Sequence, residues 1–349
     1  MKQFASVIIL CSLLLSTGCG NRQNAPAEQP GLKFRLALEL NNQTRLWDAS
    51  HLFKTELEKA DPELGIGEGE IEVEFYDSGK IGTERQLLEA AYFGVIEVVQ
   101  INSSVVTTVE PAFSILDLPF LFYNNQHLRE TLYGETGRTI LDRLRNHGLQ
   151  GLSFYSGGFR NMFYKRQDTA CASTPQELEG LKLRVMESPV MINALNAIGP
   201  TATPIPFSEL YQSIRTGMVD GAENSADIVS SYRYYETGVD CFTLTGHFTN
   251  QHLLIANANW LDSLEPKYSQ RIHKVAREIV PEFDRIWTET IQQALTDLEE
   301  QGISVNEVEE KQAFFERVEH IAEQFLANNP QVPREIYQKI IDEGFKHRE

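Results

Sequence analysis

Residues 180–185 read Gly-Leu-Lys-Leu-Arg-Val, and residues 199–225 read GPTATPIPFSELYQSIRTGMVDGAENS. In the first stretch Leu181, Leu183 and Val185 alternate with Lys182 and Arg184, the period-two pattern of a strand with one apolar face. In the second, Gly199 and three prolines lead into Phe207-Ser208-Glu209, a good helix start. Leu210, Tyr211 and Ile214 make that helix's buried face and Gly217 ends it. The following segment then turns back toward a sheet. Asn224 falls in this Gly/Ser-flanked connection, where ligand-binding side chains concentrate. Strand, helix and returning strand describe an α/β architecture. The chain carries 49 acidic against 31 basic side chains, so Arg184 has two readings: a partner for a surface carboxylate, or a cation aimed at a ligand.

The same alternation runs outward in both directions. Strands are expected at 33–40, 71–77 and 97–102, with helices over 44–60, 83–93 and 126–147. A second series begins near residue 150, with strands at 151–156, 159–165, 181–185, 241–247 and 252–257 and helices over 189–197 and 207–217. Strands separated by helices of this length predict parallel sheets covered on both faces. GEGE at 67–70 precedes a strand rather than following one, so it is a turn and not a phosphate loop. Residues 264–301 are helical, with Ile272, Val275, Ile279, Phe283, Ile286 and Trp287 on one side, and Pro281 predicts a kink or break. The rest of the C-terminal third reads as amphipathic helix.

Lys2, an apolar run from Val7 to Leu15 and the small residues STGCG at 16–20 form a secretory signal, too short to span a bilayer as a mature helix. Ser16-Thr17-Gly18-Cys19 resembles a bacterial lipobox, which makes Cys19 the candidate lipidated first residue after a signal peptide at 1–18; secretion without a lipid is the alternative. Residues 19–31 have the Pro, Asn and Gln content of a tether. Loss of Lys2 with the signal takes the formal charge from −18 to −19. A surface this acidic, with no Lys/Arg cluster, argues against nucleic acid. The remaining chain of about 330 residues calls for two domains. Cys171 and Cys241 are left as an even pair in an oxidising compartment, expected to form a disulfide, with two buried thiols as the alternative.

Catalytic signatures are absent: the sequence has no HExxH, GxSxG, Walker loop or CxxC. His247 and His252 are five residues apart and flank a loop rather than sharing a helix face, so they are not expected to hold a metal. Carboxylate pairs such as Glu309-Glu310 sit in solvated helices. No enzyme activity, cofactor or metal is expected.

GLKLRV, ATPIPFSELYQSIRTGMVDGAENS (202–225), SGKIGTERQLLEAAYFG (78–94) and PAFSILDLPFLF (111–122) together resemble the solute-binding proteins of TRAP transporters, the C4-dicarboxylate-type family, in the family's order and spacing over residues 33 to about 300. RVMESPVMINALNAIG (184–199) and DGAENS look most like members that bind sugar acids such as uronates. The resemblance implies an α/β, two-lobe periplasmic-binding-protein fold with hinge strands and a long kinked helix spanning both lobes. Lobe 1 is expected over 32–157 and 250–289, and lobe 2 over 158–249 and 290–349.

The resemblance also implies roles. Arg184 matches the family's arginine that pairs bidentately with the ligand carboxylate, for which a planar fork suits better than lysine. Arg160, in GGFR, matches a second arginine on the same ligand. Asn224 matches an asparagine that hydrogen-bonds the ligand, and Phe207 an aromatic wall. Glu84 matches an acidic position facing ligand hydroxyls, with a plain helix-start acid as the other reading. Asn102 matches a strand-end position that touches the variable part of the ligand, and Asn41 and Asn42 are expected at the rim. The expected partners are a small organic acid, foremost a uronate or related sugar acid, and the TRAP membrane permease. The protein is expected to be a monomer in the periplasm, held to a membrane only through Cys19. A C4-dicarboxylate or other monocarboxylate binder, a ligand sensor for a membrane signalling protein and, remotely, a secreted enzyme are the alternatives.

Overall fold

The computed structural model describes residues 31–166, 170–308 and 310–347; the expected signal peptide, most of the tether and Cys19 lie outside them. Among the described residues nine strands form one mixed sheet: β1 (Leu32–Leu38), β2 (Ile71–Tyr76), β3 (Val98–Asn102), β4 (Leu149–Tyr164), β5 (Lys182–Val185), β6 (Thr201–Pro204), β7 (Gly221–Asn224), β8 (Cys241–Asn257) and β9 (Ser304–Glu307). Their order is β2-β1-β3-β8-β4-β7-β5-β6, with β9 alongside β8. β1, β2 and β3 are mutually parallel, as are β5, β6 and β7.

The four strands expected at 151–156, 159–165, 241–247 and 252–257 are in fact two. β4 and β8 run antiparallel from Leu149 opposite Asn257 to Tyr164 opposite Cys241. Glycines that read as strand ends are absorbed as bulges, and the register slips between Ser156 and Phe159 and again between Arg160 and Met162. Gly158 has φ +68°, and a Cβ there would lie 2.2 Å from the Trp287 ring, so glycine is required at that crossing. Beyond the bulges the partners diverge. β3 pairs with the 252–256 end of β8, whereas β9 pairs with the 241–244 end and β7 with the 161–164 end of β4. The two long strands therefore pass through both lobes, and the bulged middle lies between them.

Local chemistry sets the helices. Thr44 caps the helix Arg45–Leu57 by accepting Trp47 N–H, and Leu46, Ala49, Phe53 and Leu57 are buried. Thr83 and Gln86 close a capping box at the start of the helix Glu84–Tyr92. Ser188 caps the helix Pro189–Ile198. The helix expected over 126–147 breaks at Gly134 into Asn125–Tyr133 and Glu135–Asp142, followed by a 3-10 turn over Arg143–His147.

Around Pro281 the chain forms two helices, Pro266–Glu278 and Val280–Glu300, broken at Ile279. Proline at a helix start supplies a fixed φ and lacks only an N–H that would go unused there. The second helix packs on Arg45–Leu57 of one lobe and on the helix Ala226–Ser231 of the other, so it straddles the junction. Strand β9 interrupts a stretch that reads as helix throughout. The terminal helix Arg334–Gly344 packs on the helices Asn125–Tyr133 and Glu135–Asp142, where Ile336 and Ile340 join the cluster of Leu128, Leu132 and Ile140. Cys171 and Cys241 are joined, with a Cα separation of 5.6 Å. Among the described residues no helix is long and apolar enough to cross a membrane.

Candidate functional site

The C-terminal ends of the parallel strands and the middles of β4 and β8 converge on one cleft between the lobes, the place where open α/β sheets bind ligands. The mouth of the cleft is lined in part by Glu39, Glu84, Arg184 and Phe207. It continues into a narrower inner end reached by Asn102, Arg160, Asn224, Asn250 and His252.

Arg184 sits on β5 between Leu183 and Val185, which point into an apolar cluster on the other face, as the alternation requires. It is 3% exposed. Its Nε donates to Ile205 O at 2.7 Å, and its guanidinium centre lies 5.9 Å from the Phe207 ring centroid. Among the described residues no carboxylate approaches within ion-pair distance of it. Burial pulls its pKa below the usual arginine value, while the Glu223 carboxylate acts in the opposite sense. Arg184 lines both the mouth and the inner end of the cleft.

Arg160 also reaches the inner cleft but is already engaged. Glu223, on β7 and 0% exposed, accepts from its Nε and, at 3.0 Å, from its Nη2; Nη2 also donates to Glu223 O at 2.9 Å. Only Nη1 is turned elsewhere, to Asn250 Oδ1 at 3.1 Å. The Arg160–Glu223 pair is thus electrically closed. Residue spacing does not reveal this, because Glu223 and Arg160 are 63 apart and meet only through β4–β7 pairing.

The asparagines form a chain. Asn102 Oδ1 accepts Ser104 N–H, and its Nδ2 donates to Asn250 Oδ1 at 3.0 Å. Asn224 Oδ1 accepts Ser225 N–H at 2.9 Å and Asn250 Nδ2 at 3.4 Å. Asn224 Nδ2 donates to nothing among the described residues. Asn250 was not anticipated; it falls in a stretch that reads as a loop between two strands. Asn41 and Asn42 do not line the cleft: Asn41 Oδ1 accepts Gln43 N–H, its own N–H donates to Tyr232 Oη, and Asn42 is exposed.

Glu84 is the first residue of its helix, and its Oε1 accepts Asn102 N–H at 2.9 Å. Burial, reinforced by the neighbouring Glu39 carboxylate, pushes its pKa up to about 8. It therefore holds its proton at neutral pH and can donate. His252 Nδ1 lies 3.6 Å from Glu84 Oε1. Burial, aided by Arg160, pulls the His252 pKa down to about 3, which leaves the ring neutral. His247 instead bonds Thr245 Oγ1. Among the described residues no group of three or more His, Cys, Asp or Glu side chains converges as a metal site would require. Phe207 opens the helix Phe207–Arg215, with its ring edge-on to Tyr232 at 4.9 Å. Among the described residues the cleft thus combines a buried arginine with no carboxylate at ion-pair distance, several amides and hydrogen-bonding acids, and an aromatic wall.

Residues 47–329 match the family model described as "Bacterial extracellular solute-binding protein, family 7". A solute-binding protein of Chromohalobacter salexigens is 30% identical over 266 residues, 76% of this chain and 78% of that one. The sugar acid binding protein of Advenella mimigardefordensis, solved with galactonate, superposes with a TM-score of 0.82 at 27% identity, covering 90% of this chain and 98% of that one. A TRAP periplasmic solute-binding protein of Chromohalobacter salexigens with bound D-glucuronate gives 0.82 at 27% identity over 89% and 99%. With this match over most of its length, the chain belongs to this family, the solute-binding proteins of TRAP transporters.

Proposed function

We propose that this protein captures a monocarboxylate sugar acid of the uronate or aldonate type and delivers it to the membrane permease of a TRAP transporter. The observation that carries the reading is the charge state of the cleft: Arg184 is buried without a carboxylate partner, whereas Arg160 is neutralised by Glu223. One carboxylate fits the Arg184 fork bidentately. A second would need another cation. The remaining candidate, Arg85 at the cleft mouth, is solvent-exposed and lies 3.4 Å from Glu187 and 3.6 Å from Glu89.

The rest of the lining suits hydroxyls. Asn224 Nδ2 and protonated Glu84 donate, and neutral His252 accepts at whichever ring nitrogen is unprotonated. Phe207 offers a flat apolar face to a sugar ring. Galactonate and D-glucuronate bound by relatives of the same fold support this class. Lobe closure around the acid removes water, so that Arg184 prevails over the acidic surface.

We further propose a periplasmic location with anchoring through Cys19, tested by whether Cys19→Ser moves the protein from the membrane to the soluble fraction, and a monomeric state, tested by light scattering. The binding test is a thermal-shift screen followed by titration calorimetry. D-glucuronate, D-galacturonate and galactonate are expected to raise the melting temperature, and succinate is expected to do so weakly or not at all. A ligand that binds only the folded state, present at 100 times its Kd, adds about 2.7 kcal/mol of stability. Tighter binding of succinate than of any sugar acid would overturn the monocarboxylate assignment.

A further inference from the structure

Glu39 directly follows β1 and is only 7% exposed. The backbone around it is held in lobe 1: Ser78 N–H donates to Leu40 O at 2.9 Å and Gly79 N–H to Leu38 O at 3.4 Å. Its two carboxylate oxygens are divided between the lobes. Oε2 accepts Glu84 N–H at 3.0 Å within its own lobe, and Oε1 accepts Ser208 N–H at 3.1 Å from the helix Phe207–Arg215 of the opposite lobe.

The two helix starts differ in what else serves them. Glu84–Tyr92 has the Thr83–Gln86 capping box, whereas the residue before Phe207 is Pro206, which has no side-chain acceptor and caps nothing. The first-turn N–H of Ser208 thus relies on an acceptor from across the cleft, and a carboxylate there is also favoured by the helix dipole. Phe207 precedes Ser208, so the same bond fixes the end of the helix that carries the aromatic wall beside Arg184.

We propose that Glu39 is an interlobe latch, a positioning residue that grips the Ser208 amide when the lobes close, holds Phe207 over the bound acid and so sets the lifetime of the closed complex. Other bonds join the lobes: Asn41 N–H to Tyr232 Oη at 3.2 Å, Ser231 Oγ to Gln43 O at 2.7 Å, Arg85 to Glu187 at 3.4 Å, and Ser188 Oγ to Asp117 Oδ2 at 2.6 Å. The first two are neutral, the third is exposed, and the fourth joins a buried carboxylate to a hydroxyl. Glu39 alone among these joins a buried carboxylate to a backbone amide, at the start of the helix that carries Phe207, and a charged bond of this kind is strong in a dry cleft. Dissociation requires the bond to break, whereas association begins with it open. Its loss therefore falls on the off-rate.

The latch rests on two-lobe closure and not on the identity of the acid. Glu39→Ala and Glu39→Gln are compared with wild type by hydrogen exchange over residues 206–212 at saturating ligand and by stopped-flow kinetics, both with D-glucuronate or, if it does not bind, the best acid of the screen. Gln is the control for folding: it keeps the size of Glu but has one oxygen, so it can serve only one of the two N–H donors. Both variants are expected to exchange faster over 206–212 and to release ligand about tenfold faster, with association changed by less than about twofold. Unchanged exchange in that segment, unchanged release, or a loss confined to association would overturn the latch. Should wild type bind only non-sugar acids while the variants still release them faster, the ligand assignment fails and the latch stands.

Discussion

Replacing Arg184 separates binding from folding, because its charge is buried with no carboxylate at ion-pair distance among the described residues. Its Nε serves Ile205 O at 2.7 Å, which leaves the two outer nitrogens for the ligand carboxylate. Arg184→Lys retains the charge, but one ammonium cannot satisfy Ile205 O and both carboxylate oxygens in this geometry. Loss of one charged hydrogen bond at about 1.5–3 kcal/mol weakens binding roughly ten- to a hundredfold. Arg184→Ala leaves the ligand carboxylate unpaired in a closed cleft, a cost on the order of 3–5 kcal/mol, or a few hundredfold and upward. The unliganded protein behaves differently. Removing a desolvated cation relieves a penalty of burial, and this offsets the lost bond to Ile205 O and the contact with Phe207. The unliganded melting temperature of Arg184→Ala is therefore expected to hold or rise while affinity collapses. Titration calorimetry with D-glucuronate or the best screened acid, run beside unliganded melting curves, reads both quantities. Wild-type affinity in Arg184→Ala would refute the carboxylate clamp, and a matched loss of affinity and stability would make Arg184 a structural cation.

Arg160 is expected to behave in the opposite way: Arg160→Ala strands Glu223, which is fully buried, and lowers stability by about 3–5 kcal/mol in chemical denaturation, while the double change Arg160→Met with Glu223→Leu recovers most of it. Wild-type stability in the single variant would show that the pair is not what holds Glu223 in place. Glu84 has its pKa raised from 4.5 to about 8, so its protonated form is favoured by folding and its stabilisation is lost as pH climbs through that window. Asp117, at about 6, gives a similar fall that ends lower, and His247 and His252, at about 3, act on the acid side. The melting temperature should accordingly decline between about pH 6.5 and 8 in wild type and be flat there in Glu84→Gln; parallel profiles would contradict the assignment. Removing the Cys171–Cys241 link, which spans a sequence separation of 70, should cost about 4 kcal/mol on the chain-entropy model, measured by denaturation with and without reductant. Equal stability in both conditions would show that the link constrains little.

Local patterning was enough to read the α/β class, the helix starts, the break near Pro281 and the placing of Arg184 opposite an apolar face, because each depends on neighbours within a few residues: a two-residue alternation, a capping threonine, a proline in the first turn. The four expected strands that became β4 and β8 show where such reading stops. Glycine at 157, 158 and 246 signals an interruption in isolation, yet pairing with a long antiparallel partner carries the strand through as a bulge. β9 was hidden for a related reason, since four residues of strand gain their meaning only from the edge of β8 that they complete. That Arg160 and Arg184 lie on strands was likewise legible, but not their charge balance. Arg160 and Arg184 are the same residue type on neighbouring parts of the sheet, and only the crossing of β4 with β7 gives the first a buried carboxylate and withholds one from the second. Nor does any local pattern reveal Glu39 reaching Ser208 across 169 positions of sequence. Electrostatics and hydrogen bonding act through space, so which cation is left for a ligand is decided by tertiary contacts that join residues far apart in the chain.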